Sequence, residues 1–253
     1  MNTFSDLVSA WRQTQLKKAP FILSGDDAIL KYSHIFRNYK DFVKNRPDFW
    51  EKKTQKFHLG LIPIPFLGNI KKAKVYVLSL NPGLTPVDYY AETYDNKIKK
   101  ERKRELRQQK FNTDYPFHFL NPEYSWSSRY WHSRFSKIVE ELSGQLSSRQ
   151  KIAYIRALKR VSQRITCLEL VPYHSKSFHL SRKVIEELQS VKLMRAFVNQ
   201  YVYRKAVKGD AIIVVMRGDK HWGVKNHRNV LRNDQRAAYF TPKNSKRIID
   251  MLL

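Results

Sequence analysis

Val75-Tyr76-Val77-Leu78-Ser79-Leu80-Asn81-Pro82-Gly83 is the stretch on which the reading of this chain turns. A short, continuous, β-branched and apolar run stops at an Asn-Pro-Gly turn, as a strand buried on both faces does where it enters a loop. The pattern recurs twice. Ile165-Thr-Cys-Leu-Glu-Leu-Val171 ends at Pro172-Tyr173-His174-Ser175-Lys176, and Ala211-Ile-Ile-Val-Val-Met216 ends at Arg217-Gly218-Asp219-Lys220-His221-Trp222. Helical spacing marks residues 131–143, 148–163 and about 181–207. Strands separated by helices predict an α/β fold, a central parallel sheet flanked by helices, with its site outside the carboxyl ends of the strands. Three polar clusters are therefore expected on one rim.

Working outward, residues 59–70 (LGLIPIPFLGNI) carry two prolines and two glycines and read as an extended, irregular approach to the first strand. Residues 1–58 read as an N-terminal helical element. Leu7, Ala10 and Trp11 share one helical face. Ile29, Tyr32, Ile35, Phe36, Tyr39, Phe42 and Val43 share another, with Asp26-Asp27 as the expected cap and Asn45-Arg46-Pro47 as the stop. Residues 59–253 are expected to form the α/β domain as one compact unit. The charged stretch 96–110 (NKIKKERKRELRQQK) reads as an exposed helix or as an insertion that orders on DNA.

The 253 residues include 48 Lys+Arg against 22 Asp+Glu, a formal charge of +26. Such an excess repels itself unless a polyanion neutralises it, and nucleic acid is the commonest one. Aromatics at 13% exclude a disordered basic tail. Basic and aromatic residues interleave in Tyr124-Ser-Trp126-Ser-Ser-Arg129-Tyr130-Trp131-His132-Ser-Arg134-Phe135, where cations would meet phosphates beside rings able to stack on an unpaired base. Arg129, Lys176 and Lys220 are candidate DNA contacts. The single cysteine, Cys167, excludes internal disulfides and any four-cysteine metal site. No apolar run approaches the ~20 residues of a membrane span, and the first residues lack a signal-peptide layout. A cytoplasmic monomer that binds double-stranded DNA and no membrane is the expectation.

The strand ending in Leu80-Asn81-Pro82-Gly83, preceded by the Pro-x-Pro-x-x-Gly-Asn approach from Pro63 to Asn69, resembles the first motif of the uracil-DNA glycosylase superfamily. It is most similar to the mismatch-specific thymine/uracil branch. Tyr130-Trp131 with Phe135, and the late strand running into a polar loop, follow the superfamily's order. The resemblance covers roughly residues 59–225. Two departures stand out: Ser79-Leu80 replaces the branch's glycine, and Met216-Arg217-Gly218-Asp219 replaces the superfamily's last His-Pro-Ser or Met-Pro-Ser-Ser motif.

The resemblance implies a DNA glycosylase of uracil-DNA glycosylase-like three-layer fold that flips its target and needs no metal or other cofactor. Asn81 would position the attacking water; the alternative is that it merely begins a turn before Pro82. Gly83 stands where strict uracil enzymes carry a blocking tyrosine, which opens the pocket beside the base's 5-position; a turn needing positive φ would also select glycine. Glu169 falls where relatives read the base's pairing edge. An ionised carboxylate accepts hydrogen bonds only, which suits the 4-amino group of cytosine, although a salt-bridged strand carboxylate reads the same way. Together these residues point to a 5-substituted cytosine, such as the glucosylated hydroxymethylcytosine of phage DNA, and to antiviral defence. Arg217 and His221 would stabilise the departing base or grip phosphate. His174 would bind phosphate or polarise the base, or be structural. Phe119 is the candidate platform for the flipped base, and Trp222 or Leu231 the wedge left in the stack.

Three rival functions remain: a uracil or mismatch-repair glycosylase, a metal-dependent nuclease using Glu169, Asp210 and Asp219, and a catalytically silent nucleic-acid binder.

Overall fold

A computed structural model describes residues 3–30, 33–45, 56–146, 150–178, 180–233 and 239–253. The chain divides into two compact units. One comprises Met1–Phe66, Leu80–Arg107 and Glu169–Phe197, the other Leu67–Ser79, Gln108–Leu168 and Val198–Leu253.

A five-stranded sheet in the order β1-β3-β2-β4-β5, with β1 Phe66–Leu67, β2 Val75–Ser79, β3 Ile165–Glu169, β4 Ile212–Val215 and β5 Val230–Arg232, belongs to the second unit except for its end residues Phe66 and Glu169. β2 pairs with β4 in parallel, Val75 opposite Ile212 and Leu78 opposite Val215, and β4 pairs with β5 in parallel, Ile213 opposite Val230. Every residue of β3 and β4 is buried, which is why neither strand alternates polar with apolar. Each β4 side chain contributes roughly 1.5–3 kcal/mol by leaving water. From β2 the chain goes to β3 on one side and then to β4 on the other, so the topological switch lies at β2, whose loop carries Asn81.

The three strands expected from sequence are present, one or two residues shorter at their ends. The flanking helices α5 Arg129–Leu146 and α6 Gln150–Arg164 form where expected, because Phe135, Ile138, Val139 and Leu142 on one, and Ala153, Ala157, Leu158 and Val161 on the other, recur at helical spacing and are buried. The C-terminal helix α11 Pro242–Leu252 starts on Thr241, whose hydroxyl accepts from the Asn244 N–H at 3.2 Å, and it packs against β4.

In the first unit α1 Thr3–Gln13 forms as expected, with Leu7, Val8 and Trp11 buried. The long helix expected from Asp26 to Val43 does not form. Residues 24–30 make successive turns, and only α2, Tyr39–Lys44, is helical. The reason lies in Asp26, which is fully buried. Its carboxylate accepts from the Tyr173 hydroxyl at 2.6 Å and from the Ser190 N–H at 3.2 Å, so it caps α8 Gln189–Ala196 instead. Tyr32, Arg46 and Pro47 lie outside the described residues.

The expected helix over 181–207 is likewise divided. α7 Arg182–Glu187 stops at Leu188, whose backbone is extended, and a π turn, Phe197–Val202, separates α8 from α9 Tyr203–Lys208. Gly209, at φ +86°, ends α9, a conformation L side chains rarely adopt.

The charged stretch is not wholly exposed. It forms α4, Asn96–Leu106, whose Ile98, Arg102, Glu105 and Leu106 face inward. Arg102 donates to Glu92 at 2.7 Å and to Asp88 at 3.0 Å, both on α3 Pro86–Tyr94, while Glu92 also accepts from the Ile62 N–H. A buried cation between two carboxylates therefore fastens α3 to α4.

No helix among the described residues is long and apolar enough to cross a membrane. Cys167 is buried in β3.

Candidate active site

In the first unit, the loop leaving β2 is laced to the loop leaving β3. The Val171 N–H donates to Leu80 O at 2.9 Å and the Ser175 N–H to Pro82 O at 3.3 Å. Asn81 Nδ2 donates to Pro82 O at 2.9 Å and to Ser175 Oγ at 2.8 Å, and Ser175 Oγ donates onward to Ser177 O at 2.9 Å. Both amide hydrogens of Asn81 are thereby used. What this half-buried side chain still offers is Oδ1, an acceptor held at a fixed angle, the group that would orient a water.

His174 Nδ1 lies 2.9 Å from Gly83 O. A carbonyl only accepts, so Nδ1 is the donor in this bond. The ring is 1% exposed, and Nε2 has no hydrogen-bond partner among the described residues. Gly83 itself is exposed, its φ is not positive, and a Cβ built on it would meet nothing within 4 Å. The turn therefore does not require glycine; what glycine supplies here is room.

Asp88, at the start of α3, accepts from both the N–H and the hydroxyl of Thr85. Burial pushes its carboxyl up, but the charges of Arg102 and His174 together with the Thr85 hydrogen bonds outweigh that and hold it below the ordinary value. A carboxylate thus stands behind His174 and anchors the β2 loop to the helix that follows.

Glu169 is the last residue of β3 and is 3% exposed, with its N–H donating to Pro65 O at 2.9 Å. Its burial sets it apart from a solvated strand carboxylate. Lys176 is exposed.

In the second unit the aromatic segment is a core with an exposed margin. Phe117, Trp131, Phe135 and Phe240 pack ring on ring at 5.3–6.0 Å. Tyr130, Trp131, Arg134, Arg217, Ser79 and Met216 line a narrow cleft of about 20 Å³, enough for one water and too small for a base. Arg217 and Lys220 are exposed, and His221 is half-buried on the short α10 Asp219–Trp222. Arg129 is exposed at the start of α5.

Three expectations need correction or narrowing. Trp222 is fully buried, with its indole N–H donating to Ser79 O at 3.1 Å, and Leu231 is buried in β5, so neither is free to enter a base stack. Phe119 sits in the one-turn 3₁₀ helix His118–Leu120, 5% exposed and packed on His118 with ring centres 4.1 Å apart.

Asp219 is bound through both carboxylate oxygens to Arg232 Nε at 3.0 Å. Among the described residues no three His, Cys, Asp or Glu side chains gather as metal ligands would.

Sequence reasoning brought out Asn81, Gly83 and His174 singly but missed Ser175, the hydroxyl that aims Asn81, as well as Asp88 and Tyr239. For Asp88 a signal was present: Thr85-Pro86-x-Asp88 has the spacing of a helix start. Ser175 and Tyr239 act across 94 and 106 residues of chain, which no local pattern encodes.

The chain matches no protein-family model, and no curated protein or solved structure is significantly similar to it.

Proposed function

We propose that the protein is a DNA glycosylase that hydrolyses the N-glycosidic bond of a flipped, 5-substituted cytosine and leaves an abasic site, with a role in antiviral defence. The observation that carries the reading is the amide of Asn81, pinned by Ser175 and Pro82 so that Oδ1 is the remaining acceptor, beside a glycine the backbone does not need. The motif's resemblance to the uracil-DNA glycosylase superfamily, the position of this loop at the switch strand and the charge of +26 support it.

Bond cleavage passes through an oxocarbenium-like sugar and an anionic leaving base. Asn81 Oδ1 would accept a hydrogen bond from water and hold it against the sugar. Glu169 would accept from a 4-amino group, and the space at Gly83 would admit the 5-substituent. Lys176 in the first unit would grip phosphates, and so would Arg129, Arg217, Lys220 and His221 in the second. A uracil-DNA glycosylase-like three-layer fold is part of the same proposal.

Asn81→Ala separates this reading from a silent DNA binder. Base release is expected to fall at least a hundred-fold, the scale of losing one oriented polar group in a site, while DNA affinity in a filter or anisotropy assay changes less than two-fold. Equal loss of both would refute the role given to Asn81.

A further inference from the structure

On the margin of the aromatic core in the second unit, Arg134 is clasped between two tyrosines from distant parts of the chain. Its guanidinium carbon lies 4.3 Å from the ring centre of Tyr130 and 4.0 Å from that of Tyr239. Ser133 Oγ and the Tyr239 hydroxyl are 3.1 Å apart, which fixes the second ring, and that bond and Arg134 lower the tyrosine's pKa. Tyr130 packs edge-on against Trp131 at 5.0 Å and so is rooted in the core. Yet Tyr130 and Tyr239 are 52% and 53% exposed, among the most exposed large side chains of the described residues. Each ring thus has one face on the guanidinium and much of the rest in water.

A core does not need this arrangement, and a merely solubilising surface would not hold two tyrosines rigidly in water. Beside the stack lies a recess of about 330 Å³, lined by Ser133, Arg134, Ser136, Lys137, Tyr239 and Ser245. Its Arg134, Lys137 and serine hydroxyls suit a phosphate, and the apolar Ile138 and Phe240 that also line it, with the rings beside it, suit a base.

We propose that Tyr130, Arg134 and Tyr239 form a stacking platform for an unpaired nucleic-acid strand, its bases extending the tyrosine–arginine ladder and its phosphates following Lys137 and the serine hydroxyls. The occupant is single-stranded because a paired base has no open π-face inside its stack. The platform requires no bond cleavage, so it stands or falls independently of the glycosylase reading.

The test is anisotropy titration of the full chain with a fluorescent thymidine 20-mer, a duplex of the same length, and heparin. The double variant Tyr130→Ala/Tyr239→Ala keeps the net charge, and exposed positions tolerate truncation. Its binding to the thymidine strand is expected to weaken five-fold or more relative to duplex and heparin, since each stacked base is worth about 1–3 kcal/mol, roughly 5- to 150-fold. Tyr130→Phe/Tyr239→Phe should bind the strand like the parent. A relative loss below five-fold, an equal loss on heparin, or no binding of the strand by the parent protein overturns the proposal.

Discussion

At the scale of single residues, Ser175 and Gly83 carry the consequences most open to measurement. Ser175 Oγ accepts from Asn81 Nδ2, so under the proposed function it would be a positioning residue that acts through Asn81. Ser175→Ala leaves the amide of Asn81 held by Pro82 O alone. The turnover number should fall roughly ten- to a hundred-fold with little change in KM, as misplacement of an orienting group does; a rise in KM alone would place Ser175 in substrate binding instead. Because a Cβ at Gly83 meets nothing, Gly83→Tyr should leave the melting temperature nearly unchanged while filling the space proposed to admit bulky 5-substituents, a loss read by comparing release of modified and unmodified bases. Asn81 and Gly83 were legible in sequence because both lie in one turn after one strand. Sequence alone leaves open a turn that needs positive φ at Gly83, which the backbone does not have.

At the scale of elements, α3 and α4 hold the β2 loop from behind through Arg102. Arg102→Met removes one partner from two carboxylates and should cost about 3 kcal/mol, lowering the melting temperature by roughly 6–12 °C if the chain unfolds in one step. Asp88 gives the pH dependence its sign. Its folded pKa is below the ordinary 3.8, so its stabilisation is present above that value and is lost as pH falls through the folded pKa. The melting temperature of the parent should therefore drop more steeply below about pH 4 than that of Asp88→Asn.

The elements also show where sequence pattern stops being informative. α4 reads as solvated because eleven residues carry only two apolar ones, Ile98 and Leu106, and its buried face is completed by an arginine whose partners lie on another helix. The apolar spacing from Ile29 to Val43 reads as a helix, but the competing bonds of Asp26 to Tyr173 and Ser190 reach across 147 and 164 residues. β5, three residues long, is too short to announce itself, whereas β2, β3 and β4 are buried runs and could be placed from sequence.

For the whole molecule, an excess of 26 positive charges is a statement about the partner and not about the chemistry. The chemistry was expected from three loops of one sheet. Contacts assign Asn81, Gly83, Glu169 and His174 to one compact unit, and Arg129, Arg217, Lys220 and His221 to the other. The proposed cleavage of glycosidic bonds of modified cytosine is tested by mass spectrometry of the released bases. Purified protein is incubated in EDTA with DNAs containing uracil, a mismatch, or glucosylated hydroxymethylcytosine. The free modified base is expected from the third DNA, and none from that DNA with Asn81→Ala. Release of uracil with the modified DNA left intact, or release of no base from any of the three, would contradict it.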